Sequence, residues 1–391
     1  MKVAIVKERR AHERRVAATP DTVKQMIALG LGVSVEAGAG AEAGFLDAAY
    51  EAAGAGIAAD EAAALGDADL VLKVQRPAEG EIGQLKKGAV LIGLLAPTQN
   101  KAEIEAYAAA GVNAFALELV PRITRAQTMD VLSSQANLAG YKAVVDAAGE
   151  FGRAFPMMMT AAGTIKAARV LIMGAGVAGL QAIATARRLG AIVSATDVRA
   201  AAKEQVESLG ATFLTVDEEA AKSAETAGGY AREMGEDYQR RQREKVTEAL
   251  KRTDIVICTA LIPGRQAPIL LTADMVAAMA PGSVVIDLAV EAGGNVEGSQ
   301  AGSIVTTANG VRIIGHQNMP SRIAVDASML YARNMMAFVH LLFDQEKQFR
   351  VDRSDEIIKA TLLTMDGAIV NPALLPPPEP AAAAPAELKT S

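Results

Sequence analysis

From residue 3 onward, short β-branched and aliphatic runs alternate with longer Ala-rich stretches, the runs falling at residues 3–6, 33–36, 70–74, 90–95 and 114–119. Apolar segments of this length, separated by stretches long enough for a helix, predict a parallel sheet with crossover helices. Residues 124–148 follow almost without punctuation, Gly140 alone interrupting them, and predict a helix that connects two domains. A sharper alternation then begins, with strand-like runs at 169–173, 192–196, 212–215, 255–259, 284–288 and 311–314. Six strands with crossovers match a full dinucleotide-binding sheet.

Two departures interrupt this rhythm. The charged stretch 217–252 is inserted between the third and fourth strands of the second alternation, with a Gly228-Gly229-Tyr230 break before a helix-compatible run at 233–251. The break is read as a loop able to act as a flap, the run as a solvated helix. After Val325, Ala327, Leu330, Tyr331, Phe338 and Leu342 recur near helical spacing, and Asp366-Gly367 between two short apolar runs predicts a two-residue hairpin turn.

The expected fold class is therefore α/β, with two Rossmann-like domains built on parallel sheets. The first (residues 1–135 and 326–375) is discontinuous and completed by the C-terminal segment; the second (136–325) binds a dinucleotide; and the Pro/Ala-rich residues 376–391 form a flexible tail.

Composition narrows the chemistry. Lys and Arg number 39 against 45 Asp and Glu, a net charge of −6, and with no Trp, 6 Tyr and 8 Phe there is neither a basic footprint nor a stacking platform for nucleic acid. Cys258 has no partner for an internal disulfide, and His12, His316 and His340 lack metal-ligand spacing, so no metal is expected. No apolar run reaches the length of a membrane span and no signal-like core follows Met1, which predicts a cytoplasmic protein.

The sharpest motif starts at Arg169 and runs Val-Leu-Ile-Met-Gly174-Ala-Gly176-Val177-Ala-Gly179-Leu, a strand entering a helix through G-x-G-x-x-G, with Asp197 after the next strand. Gly174 permits the tight turn, Gly176 lets the backbone approach a pyrophosphate, and Gly179 lets helix and strand pack closely, while the helix N-terminus offers amides to an anion. Asp197 would accept from ribose hydroxyls and repel a 2′-phosphate, which favours NAD(H) over NADP(H), although Arg199 two residues later pulls the other way. Gly38-Ala-Gly40 with Gly44 looks similar, but its last glycine is misplaced and no matching acid follows, so it reads as a structural turn.

A second concentration of polar groups lies at 121–135, Pro-Arg122-Ile-Thr-Arg-Ala-Gln127-Thr-Met-Asp130-Val-Leu-Ser133-Ser-Gln. Two readings stand side by side: a helix start capped by Asp130, or a carboxamide-recognising cluster in which Gln127, Asp130 and Ser133 share one face of a helical turn. Arg15 and Lys73, beside strands of the first domain, can each bind a small carboxylate, though surface salt bridging is the commoner fate of such residues.

These stretches, with residues 151–164, 225–231 and 284–295, closely resemble the NAD-binding subunit, or domain I, of proton-translocating NAD(P) transhydrogenases, from Met1 to about Pro372. The resemblance implies that Arg122, Gln127, Asp130 and Ser133 contact the nicotinamide. It further implies that Val177, Asp197, Val198 and Arg199 meet the adenosine half, that Gly229 and Tyr230 lie on a loop closing over the nucleotide, and that Leu261 lines the pocket. It also implies a homodimer on the cytoplasmic face of the inner membrane, working with a membrane-spanning subunit and an NADP(H)-binding subunit; one fingerprint and no span leave both functions to other polypeptides.

Alanine dehydrogenases, similar in fold and retaining the equivalents of Arg15 and Lys73, are the competing enzyme reading; a non-catalytic NAD-binding regulator is the third. Alanine dehydrogenases use a His in the strand corresponding to residues 90–96, where this sequence has Leu94, and an Asp in the loop after the fifth strand, where it has Glu291. Loss of the imidazole removes the usual general acid/base for amino-acid oxidation. Hydride transfer between two nicotinamide rings needs only proximity and orientation. The polar cluster opposes the regulator reading.

Overall fold

Continuous Val, Ile and Leu runs become strands covered on both faces. The computed structural model describes residues 1–199, 201–214, 236–262 and 264–375. β1 (Lys2–Ile5), β2 (Gly32–Glu36), β3 (Gly56–Ala58), β4 (Leu70–Gln75), β5 (Val90–Leu94) and β6 (Asn113–Ala116) pair in parallel in the order β6-β5-β4-β1-β2-β3. Residues along β1 and just beyond it alternate between two cores: Val3 and Ile5 face one apolar cluster, Ala4 and Val6 the other. β3 was not anticipated; its sequence, Gly-Ile-Ala, carries one strand former and owes its place to β2. Residues 117–119, read as part of the fifth run, instead form a short 3-10 turn.

The expected connecting helix is split. Thr124–Met129 is a 3-10 turn, Asp130 breaks it with φ −74° and ψ 86°, and the helix proper runs Val131–Glu150. An unanticipated hairpin, β7 (Met158–Thr160) with β8 (Gly163–Ile165), precedes the second sheet.

In that sheet β9 (Arg169–Met173), β10 (Ile192–Thr196), β11 (Thr212–Phe213), β12 (Ile255–Cys258), β13 (Val284–Asp287), β14 (Ile304–Thr306) and β15 (Arg312–Ile314) lie in the order β11-β10-β9-β12-β13-β15-β14. The first six positions are parallel, and the unforeseen β14 closes the edge antiparallel to β15. Val170 and Ile172 pack with the connecting helix and the helix Val177–Arg188; Leu171 and Met173 face the opposite layer, where Val246 and Leu250 of helix Glu236–Leu250 are buried.

The chain then returns. Helix Ala324–Leu341 buries Ala327, Tyr331 and Phe338 in the first lobe, β16 (Leu362–Met365) adds antiparallel to β6, and β17 (Ala368–Ile369) adds antiparallel to β16. Asp366 and Gly367, at φ 52° and 84°, make the two-residue turn with both φ positive, as the Asp-Gly pair dictates. Residues 376–391 lie outside the described residues.

Candidate functional site

The glycine loop is built as its spacing requires. Gly174 takes φ 102° and donates its amide to the Thr196 carbonyl at 2.9 Å; a Cβ there would sit 2.6 Å from Thr259 Oγ1. A Cβ on Gly179 would lie 1.8 Å from the Gly174 carbonyl oxygen, so helix and strand meet at a contact only glycine allows. Around Gly176 nothing lies within 4 Å of the added Cβ position: this face of the loop is open where a pyrophosphate would approach. Val177 is the first residue of the helix and is exposed, as is Leu261, which sits on the loop after β12. Gly38 instead donates its amide to Asp47, and a Cβ on Gly40 would strike Tyr50, which makes that first glycine cluster a packed turn.

Asp197 follows β10 and is tightly held. Its carboxylate accepts from the Ala175 amide at 2.7 Å, from the Arg199 amide at 2.9 Å and from both Nε and Nη2 of the Arg199 guanidinium, each at 2.9 Å. Val198 lies between the two partners. Arg199 thus serves as the acid's counter-ion, so any further donor must share the carboxylate with it or displace it. Gly229 and Tyr230 fall outside the described residues.

Three residues that sequence reasoning did not single out brace the glycine loop and the loops after β12 and β13. The Thr259 hydroxyl donates to the Gly174 carbonyl at 3.0 Å. Asn295, fully buried, accepts from the Ala260 amide and donates to the Ala260 and Pro268 carbonyls. Asp287, also fully buried, gathers the amides of Ala289, Asn295 and Val296. The signal was there, an Asp and an Asn eight residues apart in a Gly-rich turn, but only folding shows that they clamp two loops to each other.

The polar segment is a capped helix start whose side chains stay accessible. Asp130 caps the connecting helix, its carboxylate accepting from the Ser133 amide at 2.9 Å and the Ser133 hydroxyl at 2.6 Å. Both residues remain partly exposed, and Arg122 and Gln127 lie exposed just before them. A single helical face from 127 to 133 does not exist, because Asp130 breaks the turn; the Asp130 amide donates to the Gln127 carbonyl at 3.3 Å, and its side chain turns to Ser133. Seven residues on, a Cβ at Gly140 would sit 2.0 Å from the Ala178 carbonyl oxygen. The connecting helix therefore touches the first turn of the nucleotide helix, and its rise of about 1.5 Å per residue puts Ser133 roughly 10 Å upstream of that contact.

Arg15 and Lys73 are not on the surface: they are 3% and 2% exposed, and their salt bridges are internal. Arg15 grips Glu13 through Nε and Nη2 at 2.8 and 2.7 Å and donates to Gln135 at 2.8 Å. Burial pushes the Glu13 carboxyl up, but the hydrogen bonds and charge of Arg15 outweigh it and hold the group below its ordinary value. Lys73 pairs with Glu81 at 2.9 Å and faces Glu8 at 3.7 Å. Glu8 Oε1 accepts from the Val74 amide, while the buried Oε2 has no hydrogen-bond partner. Burial, against the opposing pull of Lys73, raises Glu8 from 4.5 to about 7.

The folded chain thus holds a proton that the unfolded chain releases, so Glu8 lowers stability as pH rises from 4.5 to about 7. Melting wild type and Glu8→Gln across that window checks this: the variant should lose the downward slope, and parallel curves would refute the assignment. Leu94 packs into the first core, and Glu291 accepts the Asn318 amide at 2.8 Å.

Two α/β lobes, one complete fingerprint and a capped polar turn on the helix that packs against the fingerprint's helix define a Rossmann-type, nucleotide-binding oxidoreductase. The chain matches the family models "Alanine dehydrogenase/PNT, N-terminal domain" over residues 4–139 and "Alanine dehydrogenase/PNT, C-terminal domain" over residues 143–372. It is 57% identical over 380 residues to an NAD(P) transhydrogenase subunit alpha of Rhodospirillum rubrum, covering 96% of this chain and 99% of that one. A solved structure of transhydrogenase from Sinorhizobium meliloti superposes with a TM-score of 0.83 at 51% identity, covering 95% of this chain and all (100%) of that one. Alanine dehydrogenase of Halomonas elongata is more distant, 30% identical over 94% of each chain. The chain belongs to the alanine dehydrogenase/PNT family, among its transhydrogenase alpha subunits.

Proposed function

We propose that this chain is the NAD(H)-binding subunit of a proton-translocating transhydrogenase, which passes hydride from NADH directly to NADP⁺ held on a partner subunit while a separate membrane subunit moves the proton. The observation that carries this reading is the connecting helix, which bears the Asp130–Ser133 pair at its start and meets the nucleotide helix at Gly140. Pyrophosphate would lie on the open face at Gly176, and the adenosine half against Val177, Asp197, Val198, Arg199 and Leu261. The nicotinamide would lie against Arg122, Gln127, Asp130 and Ser133. The dinucleotide supplies the hydride; the chain's own residues orient it, Gln127 and the Asp130–Ser133 pair offering donors and acceptors to a carboxamide.

The resemblance implies that Gly229 and Tyr230, outside the described residues, also contact the nucleotide. A homodimer attached peripherally to the cytoplasmic face of the inner membrane completes the proposal. Among the described residues no helix is long and apolar enough to cross a membrane, which leaves that role to a partner.

Amino-acid oxidation is the poorer reading. Leu94 provides no proton carrier, and Arg15 and Lys73 already hold buried carboxylates of their own.

The test is a hydride-transfer assay with NADH and NADP⁺, with and without an added NADP(H)-binding subunit, beside an alanine and NAD⁺ control. Transfer that depends on the partner supports the proposal; NADH formation from alanine by this chain alone overturns it. Within that assay Asp197→Ala should weaken NADH binding about tenfold or more. Gln127→Asn should slow transfer about tenfold with binding nearly unchanged. Equal binding losses in the two variants would contradict the assigned roles.

A further inference from the structure

Behind the Asp130–Ser133 pair runs a directed chain of hydrogen bonds. Arg15 Nη1 donates to Gln135 Oε1 at 2.8 Å, the Gln135 amide to Ser134 Oγ at 3.3 Å, the Ser134 hydroxyl to Asn334 Oδ1 at 2.7 Å, and the Asn334 amide to the Thr128 carbonyl at 2.7 Å. Gln135 also donates to the Ala327 carbonyl at 3.1 Å. Every donor in the series meets an acceptor, and the polarity is set at one end by the Arg15–Glu13 ion pair and at the other by a carbonyl that can only accept.

Asn334 is the member that matters for geometry. It lies on the return helix, is 9% exposed, and holds Thr128 with one end of its amide and Ser134 with the other. Those residues flank Asp130, the point where the 3-10 turn gives way to helix. Backbone at such a junction can pivot, since a cap satisfies the helix end without fixing the direction of the segment before it. A second grip spanning the junction removes that freedom. An apolar side chain would fill the same space; a buried amide reaching both sides also sets their register.

We propose that Asn334 is a positioning residue for hydride transfer, fixing Gln127 on the turn relative to Asp130 and Ser133 on the helix. This rests on the reading that those residues hold the nicotinamide. It also gives the buried Arg15 a task, as the anchor of the series.

The experiment uses the full chain with an NADP(H)-binding subunit and measures single-turnover hydride transfer, NADH dissociation constant and melting temperature. Asn334→Asp keeps shape and the bond from Ser134 but turns an acceptor toward the Thr128 carbonyl; Ser134→Ala cuts the series from the other side. Each should slow transfer about tenfold while the NADH dissociation constant moves less than about twofold. The double variant should be little worse than either single one, and Ser134→Thr should recover most of the rate that Ser134→Ala loses.

Unchanged transfer in both single variants, or a rate that falls only in step with NADH affinity, overturns the proposal. If Asn334→Asp does not fold, Ser134→Ala decides. Should Gln127→Asn slow transfer while the Asn334 and Ser134 variants do not, positioning fails and the nicotinamide reading stands. Should Gln127→Asn have no effect, that reading fails and the proposal with it.

Discussion

Gly179→Ala should abolish useful NADH binding and destabilise the nucleotide lobe together. The added methyl would sit 1.8 Å from the Gly174 carbonyl oxygen, a backbone atom that moves only if the whole loop moves. Pushing helix Val177–Arg188 off β9 by an ångström or more loosens Ala182, Ile183 and Ala186 from their core. It also strains the opposite contact, where Gly140 already brings the connecting helix against Ala178. An overpacked backbone contact of this kind costs about 3 kcal/mol or more, roughly 6–12 °C in melting temperature for a lobe of this size. NADH affinity should fall by more than about a hundredfold as the amides at the helix start lose their aim.

The control is Gly176→Ala, where nothing lies within 4 Å of the new methyl. That variant should melt like wild type yet, on the proposed reading, bind NADH poorly, because the methyl enters the open face on which the pyrophosphate would lie. Thermal melts and fluorescence titrations of the two proteins check the pair, and equal melting temperatures would mean that Gly179 does not set the helix–strand approach.

Arg15→Met should be the most damaging change in the first lobe. It leaves the Glu13 carboxylate, with no exposed side-chain surface, facing Gln75, Asn318 and Ser321 without a countercharge. Removing one partner of a buried pair typically costs about 3–5 kcal/mol. Arg15→Met with Glu13→Leu should recover much of that loss, since an apolar pair avoids the uncompensated charge.

The pH dependence follows in sign. With Arg15 present, Glu13 titrates below its ordinary value and supports folding until pH falls through that low range. Without the Arg15 side chain burial is opposed only by the hydrogen bonds from Asn318 and the residue-15 amide, Glu13 takes up a proton more readily on folding, and the variant should be less stable near pH 8 than near pH 5. Denaturant melts at both pH values measure this, and a double variant as unstable as the single one would show that the pair's charge is not what is being lost.

Much of this molecule was legible from residue order because it depends on periodicity. Uninterrupted β-branched runs marked eleven of the strands, the glycine spacing located a loop whose geometry follows from missing Cβ atoms, and Asp366-Gly367 specified a turn with both φ positive. The strands that escaped notice were short or polar: β3 has three residues, β14 sits at an edge, and β7 with β8 is exposed throughout. Elements this small take their conformation from neighbours, which no local pattern records.

For the site the division is similar. The sequence by itself determined which groups are available: Asp130 three residues before Ser133, Asp197 beyond the second strand, Arg199 beside it. Only the tertiary structure decided what each is paired with. Arg15 and Lys73 read as surface cations until folding buried them against Glu13 and Glu81, and Asn334 carries no signal until the return helix brings it beside Ser134, 200 residues earlier in the chain. Hydrophobic and steric rules act over a few neighbouring positions, so sequence displays them. A buried charge or amide must find its partner wherever the chain comes back, and that partner is chosen by topology.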